Sequence, residues 1–227
     1  MAAEETPPLT TATTTTAATK TTTAVTVTVT GDLAALHELR TQRAVMARTV
    51  AGRPDADAAE TQARLDPFLP SPHDGGGGGG GDARTFNPGI CLASTGELIG
   101  LGGVFRADGG ADAALGGWPE VGYMLREEHW GAGYATEFLG AFLRAWWALP
   151  RVEARVVVDP RSVAGEGEGE VPERLCAIVE ATNVGSLRVM EKTGFKRFKT
   201  WTELSQRPGE EGTEVTLIGF ANVRPEV

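Results

Sequence analysis

The stretch that most narrows what this chain can fold into runs from Glu120 to Thr136, EVGYMLREEHWGAGYAT. Val121, Tyr123 and Leu125 alternate with Glu120, Gly122, Met124 and Arg126, the period of a half-buried strand. The chain then passes through Trp130-Gly131-Ala132-Gly133 into an apolar helical spacing. Strand, glycine turn and helix in that order aim several backbone N–H groups at one point. With the helix dipole behind them, such a point binds phosphate. Gly131-Ala132-Gly133 alone is only a G-x-G. Thr136 stands where a dinucleotide fingerprint needs its third glycine, and no G-K-[ST] follows as an NTPase loop requires. On these residues alone a plain tight turn is the simpler reading.

A second block adds to the first. Residues 181–195 read ATNVGSLRVMEKTGF. Asn183 or Ser186 can cap a helix, Leu187 and Met190 follow at helical spacing, and Gly194 supplies the stop. Phe195 opens another strand. Two strand–turn–helix units therefore follow one another at the separation of successive units in a single sheet.

Together these blocks closely resemble the GNAT superfamily of acyl-CoA N-acyltransferases, and most of all the branch containing the ribosomal-protein N-terminal alanine acetyltransferases. That branch writes its glycine turn W-G-x-G-Y-A-T-E, which residues 130–137 match throughout. The later signature, N-x-x-S…K-x-G-F, is met by Asn183, Ser186, Lys192, Gly194 and Phe195. The resemblance covers residues 25–222. It implies an α/β fold of the GNAT type: a central mixed, mostly antiparallel sheet flanked by helices, with a splayed parallel strand pair that holds coenzyme A.

Composition sets bounds. A chain of 227 residues with 41% hydrophobic content can build one α/β domain with a real core. No apolar run is long enough to span a bilayer, and MAAEE lacks a secretory core. Cys91 and Cys176 are too few for a disulfide framework, and with three histidines they make no metal spacing. The expected setting is a reducing interior, cytoplasmic, with the nucleus as the other possibility. A net charge of −9 argues against nucleic acid as the main partner and mildly favours cationic acceptors, although solubilising charge explains it as well.

The Thr/Ala-rich residues 1–23 read as a disordered tail, and 24–224 as one domain. Flexible insertions are expected near 71–85, which holds Gly75–Gly81, near 107–117 and near 161–172. Ala24–Thr30 reads as the first strand, and Asp32 as the cap of a helix carrying Leu33, Leu36 and Leu39. A second helix is expected over Ala56–Phe68, and a hairpin around Ser94-Thr95-Gly96-Glu97. Ala135, Phe138, Phe142, Trp146 and Leu149 form a helical stripe ended by Pro150. Further strands are expected at Val152–Val158, Leu175–Val179, Lys196–Glu203 and Glu214–Val223.

The resemblance implies a site. The coenzyme A pyrophosphate would rest on the turn, at Trp130, Gly131, Ala132, Gly133, Tyr134, Ala135 and Thr136. The pantetheine arm would pair with the backbone of Met124, Leu125 and Arg126, where a strand N–H can polarise the thioester carbonyl. Asn183 would both cap its helix and bind the pantetheine, and Ser186 would cap or contact the sulfur. A lysine acceptor arrives protonated and an N-terminus partly so. Glu120 is the candidate base, a role worth about 10²–10⁴-fold, and its alternative is a solvent-facing strand end. Glu137 is the rival carboxylate, better read as a partner of the helix dipole. Where many members of the superfamily carry a tyrosine to protonate the thiolate, this chain has Met190. That leaves water or Ser186 as the proton donor. His129 reads as a surface residue and Cys176 as core. The expected activity is transfer of an acetyl group from acetyl-CoA, as co-substrate and without a metal, to a primary amine, either a protein N-terminus or a small amine. The mechanism is direct attack in a ternary complex, by a monomer or homodimer. The alternative is a non-catalytic acyl-CoA-binding regulatory domain.

Overall fold

The computed structural model describes residues 25–28, 33–66, 87–106, 115, 117–151, 155–166 and 170–225. Strands β1 (Val25–Thr28), β2 (Gly89–Leu92), β3 (Leu98–Arg106), β4 (Glu120–Leu125), β5 (Arg174–Glu180), β6 (Lys196–Leu204) and β7 (Glu214–Val223) form one sheet in the order β1-β2-β3-β4-β5-β7-β6. Every neighbouring pair is antiparallel except β4–β5, which is parallel. The mixed sheet matches the GNAT-type expectation. The β2–β3 turn closes as its sequence predicts: the Gly96 N–H donates to Leu92 O, and Gly96 takes φ 74°.

Helices α1 (Leu33–Thr41), α2 (Arg43–Met46) and α3 (Ala58–Leu65) cover one face of the sheet. Their Leu36, Leu39, Val45 and Leu65 pack with Leu101 of β3 and Met124 of β4. Side chains alternate across a strand, so Val121, Tyr123 and Leu125 point the other way. There they meet α4 (Tyr134–Ala148) and α5 (Val184–Lys192). That second face holds the main core, with Phe138, Phe142, Leu175, Ala177, Met190 and Phe220 buried together. The expected apolar stripe of α4 is this inner face, where Phe142 and Trp146 stack at 6.2 Å.

A buried polar network ties α1 to α3. Arg40 donates to both oxygens of Asp55, at 2.6 and 2.9 Å, and Thr61 donates to the same carboxylate at 2.8 Å. Burial raises the Asp55 pKa, but the hydrogen bonds from Arg40 and Thr61 and the charges of Arg40 and Arg64 outweigh it. The net position is below the ordinary carboxylate value. Asp57 caps α3 by accepting from the Glu60 N–H, while Glu60 accepts from the Ala56 N–H, a reciprocal closure of the first turn.

Several expectations need correction. Of Val152–Val158, the described residues 155–157 form no strand, and Val158 makes an isolated bridge. The Gly117 N–H donates to Val157 O, a loop contact in place of a ladder. The helix expected from Ala56 starts at Ala58 and ends at Leu65; residues 67–86, with the glycine run, lie outside the described residues, as do 1–24 and Asp32. The stretch expected as an insertion near 161–172 is partly tied down. Pro160–Val163 form a 3-10 turn whose Ser162 accepts from Trp118 Nε1 at 2.8 Å. Leu115, in the insertion expected near 107–117, is buried against Trp118 and Cys176. Helix α2 was not foreseen: four residues are too few to show a period.

Candidate active site

β4 and β5 run parallel but share one ladder pair among the described residues, Glu120 with Cys176, fixed by the Cys176 N–H donating to Pro119 O at 2.9 Å. Beyond that pair the two strands part toward their C-terminal ends, and the edge of β4 facing β5 is open. The other edge is fully occupied, with Glu120–Leu125 paired along β3. The Arg126 N–H donates to Ile99 O at 2.8 Å. Because bonded and non-bonded pairs alternate along an antiparallel ladder, Met124 also faces β3. Tyr123 and Leu125 present their backbone to the gap.

The expected pantetheine contacts lie along this edge. By the same alternation the Leu125 N–H is directed into the gap, while its carbonyl accepts from Trp130 Nε1 at 2.8 Å. Met124 directs its main-chain groups toward β3, and at Arg126 the N–H donates to Ile99 O while the carbonyl accepts from the His129 N–H. The Arg126 guanidinium is buried and pairs with Glu38 at 2.7 Å and Glu97 at 3.3 Å, so its side chain joins α1 to the β2–β3 turn.

From the mouth of the gap the chain turns through Glu127–His129, a 3-10 turn, into Trp130-Gly131-Ala132-Gly133. Gly131 and Gly133 have φ of 75° and 92°, a region costly to any residue with a Cβ. A Cβ built at either would meet nothing within 4 Å, so both glycines line open space. Gly133 is the N-cap of α4, and the first intrahelical bond runs from the Glu137 N–H to Gly133 O. The N–H groups of Tyr134, Ala135 and Thr136 therefore have no acceptor within the helix. They fit a pyrophosphate: a cradle of backbone donors, no side-chain cap competing for them, and the positive end of a fifteen-residue helix behind. Tyr134 packs edge-on to His129 at 5.8 Å, and Gln42 accepts from the Glu127 N–H, fixing the approach to the turn.

Across the gap, Asn183 is the N-cap of α5 and accepts from the Ser186 N–H at 3.2 Å. Asn183 is thus the cap and Ser186 is not. The Ser186 hydroxyl instead accepts from the Tyr123 phenol at 3.2 Å, across the splay from β5's helix to β4. Tyr123 was missed from the sequence, where it reads as one more inward position of an alternating strand. Its only signal is a hydroxyl at a position that alternation assigns to the core. Glu120 opens β4 on the opposite face, at the apex of the gap. Met190 is 2% exposed and packs in the core. Cys176 is buried; its thiol is pushed up to about 12 by burial and by the nearby Glu120 charge against the pull of Arg174, which suits a core residue and not a nucleophile. Among the described residues no group of three or more His, Cys, Asp or Glu is placed to hold a metal ion, and no helix is long and apolar enough to cross a membrane.

A mixed sheet with a parallel pair parted over a glycine-capped helix is the architecture that the resemblance to acyl-CoA N-acyltransferases implies. The acetyltransferase (GNAT) domain family matches residues 25–196. The chain belongs to the GNAT acetyltransferases. Solved structures share the fold at low identity. A GNAT-family acetyltransferase from Bacillus anthracis superposes with a TM-score of 0.60 at 17% identity, over 89% of this chain and 96% of the other. Spermidine N-acetyltransferase from Vibrio cholerae, in complex with CoA and spermine, gives 0.60 at 15% identity, over 88% and 95%. An aminoglycoside acetyltransferase in complex with coenzyme A gives 0.55 at 17% identity, over 88% and 95%. No curated protein sequence matches the chain. The ribosomal-protein branch is not singled out by these likenesses.

Proposed function

We propose that this chain transfers an acetyl group from acetyl-CoA to a primary amine, a small amine or a protein N-terminus, by direct attack. The observation that carries this is the β4–β5 gap, joined at Glu120–Cys176 and opening onto the Gly131–Gly133 turn. The backbone N–H groups of Tyr134, Ala135 and Thr136 hold the pyrophosphate, and the Leu125 N–H holds the arm lying in the gap. Glu120, at the apex, takes the proton of the incoming ammonium directly or through a water. Acids and bases in such positions contribute about 10²–10⁴-fold. Solved relatives of this fold whose complexes contain spermine or ribostamycin support an amine acceptor.

Calorimetric titration with acetyl-CoA, followed by an amine panel read by thiol release, tests the proposal. The expected result is binding and release with one class of amine, with Glu120→Gln keeping coenzyme A binding while turnover falls. Binding without release on any amine supports the regulatory-domain alternative. No binding at all removes the assignment of the turn.

A further inference from the structure

Acyl transfer from a thioester expels a thiolate, which needs a proton or a strong hydrogen bond as the C–S bond breaks. The position on α5 where the family resemblance implies a tyrosine carries Met190, turned into the core. A different phenol stands at the gap. The Tyr123 side chain leaves β4 on the α4–α5 face, its ring set edge-on to Phe138 at 6.4 Å and 62°. Its O–H donates to Ser186 Oγ at 3.2 Å. The Ser186 main chain is fixed in turn by Asn183. Since Tyr123 donates to Ser186, the proton of Ser186 itself is left to be given elsewhere. Glu120 lies on the other face of the sheet, so a proton acceptor and a hydroxyl pair flank the gap from opposite sides.

We propose that Tyr123 and Ser186 form a hydroxyl relay that protonates the leaving sulfur, with Ser186 touching the sulfur and Tyr123 positioning and reprotonating Ser186. The inference rests on the acetyl-transfer reading above. The amine nitrogen forms its bond to the carbonyl carbon, and the C–S bond breaks with its electron pair on sulfur. The Ser186 hydroxyl gives its proton to sulfur and receives one from the Tyr123 phenol. Solvent restores the phenol with a proton equivalent to the one the amine loses, so protons balance. Burial raises the Tyr123 pKa against the hydrogen bond to Ser186, so the phenol stays protonated where the amine reacts.

The test compares wild type, Tyr123→Phe, Ser186→Ala and the double variant, with the responsive amine from the panel. Tyr123→Phe keeps the ring against Phe138 and is expected to lower kcat about tenfold or more, leaving acetyl-CoA Kd and amine KM within about twofold. The double variant should be no slower than Ser186→Ala, because the two groups act as one unit. The solvent deuterium isotope effect on kcat should shrink in Tyr123→Phe. An unchanged kcat in Tyr123→Phe overturns the relay. So does a kcat loss matched by weaker acetyl-CoA binding with the isotope effect unaltered, which would mark a packing role. Failure of the acetyl-transfer reading is separately visible, as wild type that releases no thiol with any amine.

Discussion

In the first strand–turn–helix unit, β4 to α4, the helix starts at Gly133, which has no side chain to satisfy the first N–H groups. In the second, β5 to α5, it starts at Asn183, whose side chain accepts from the Ser186 N–H. The same supersecondary plan is thus left open in one copy and closed in the other. Glycine in place of a capping side chain costs only a few tenths of a kcal/mol, roughly, so the open end is a small loss of stability. On the reading proposed above, a bound phosphate would supply the missing acceptors. The closed unit does the opposite work: its cap holds Ser186 in place beside Tyr123.

The largest effect should fall outside both units, which would show that the site is not what holds the fold together. Asp55→Asn leaves the buried Arg40 charge without its partner and is expected to cost about 3–5 kcal/mol in denaturant unfolding. The wild-type Asp55 carboxyl titrates below its ordinary value in the folded protein. Its stabilisation is therefore complete above the unfolded pKa, about 3.9, and is lost as pH falls through the lower folded value. Asp55→Asn should flatten that acid limb.

Next, Gly133→Val should weaken coenzyme A about 100-fold in calorimetry, from the loss of charge-assisted hydrogen bonds worth about 1.5–3 kcal/mol each. Strain at φ 92° should cost the free protein only about 1–2 kcal/mol. Asn183→Ala should invert that pattern, costing about 1 kcal/mol of stability with a smaller change in coenzyme A affinity. If the two variants behaved alike, the contrast between open and closed units would be broken. Smallest of all, Trp130→Phe removes the indole bond to Leu125 O and should change stability by about 1 kcal/mol or less, with coenzyme A affinity moving by a few-fold.

Much of this was legible in the sequence, and the reasons are particular. The Gly131 and Gly133 turn was readable because only glycine takes that φ cheaply, and the hairpin at Gly96 likewise. The alternation of β4 and the stripe of α4 gave their buried faces correctly. What could not be read was pairing between distant segments. Val152–Val158 has β-branched residues enough for a strand, but residues 155–157 join no ladder, and Val157 is left 84% exposed. Arg126 carries the period of a strand that faces the gap, yet register turns its N–H to Ile99. Asn183 and Ser186 were both candidate caps; helix phase, not residue type, decided between them. The Tyr123–Ser186 contact joins residues 63 apart in sequence, and no local pattern announces it.

The single ladder pair between β4 and β5 has a consequence for how the protein comes apart. β1 to β4 are contiguous in sequence, and so are β5 to β7, so the sheet is two leaves bound along one stitch and a shared apolar seam. Within each leaf the strands are joined by continuous ladders, while across the seam there is one ladder pair and apolar packing, which makes the seam the weakest line in the sheet. A chain cut between the leaves should therefore reassemble from its two fragments more readily than one cut inside either leaf, and a ligand lodged in the seam would act as the staple.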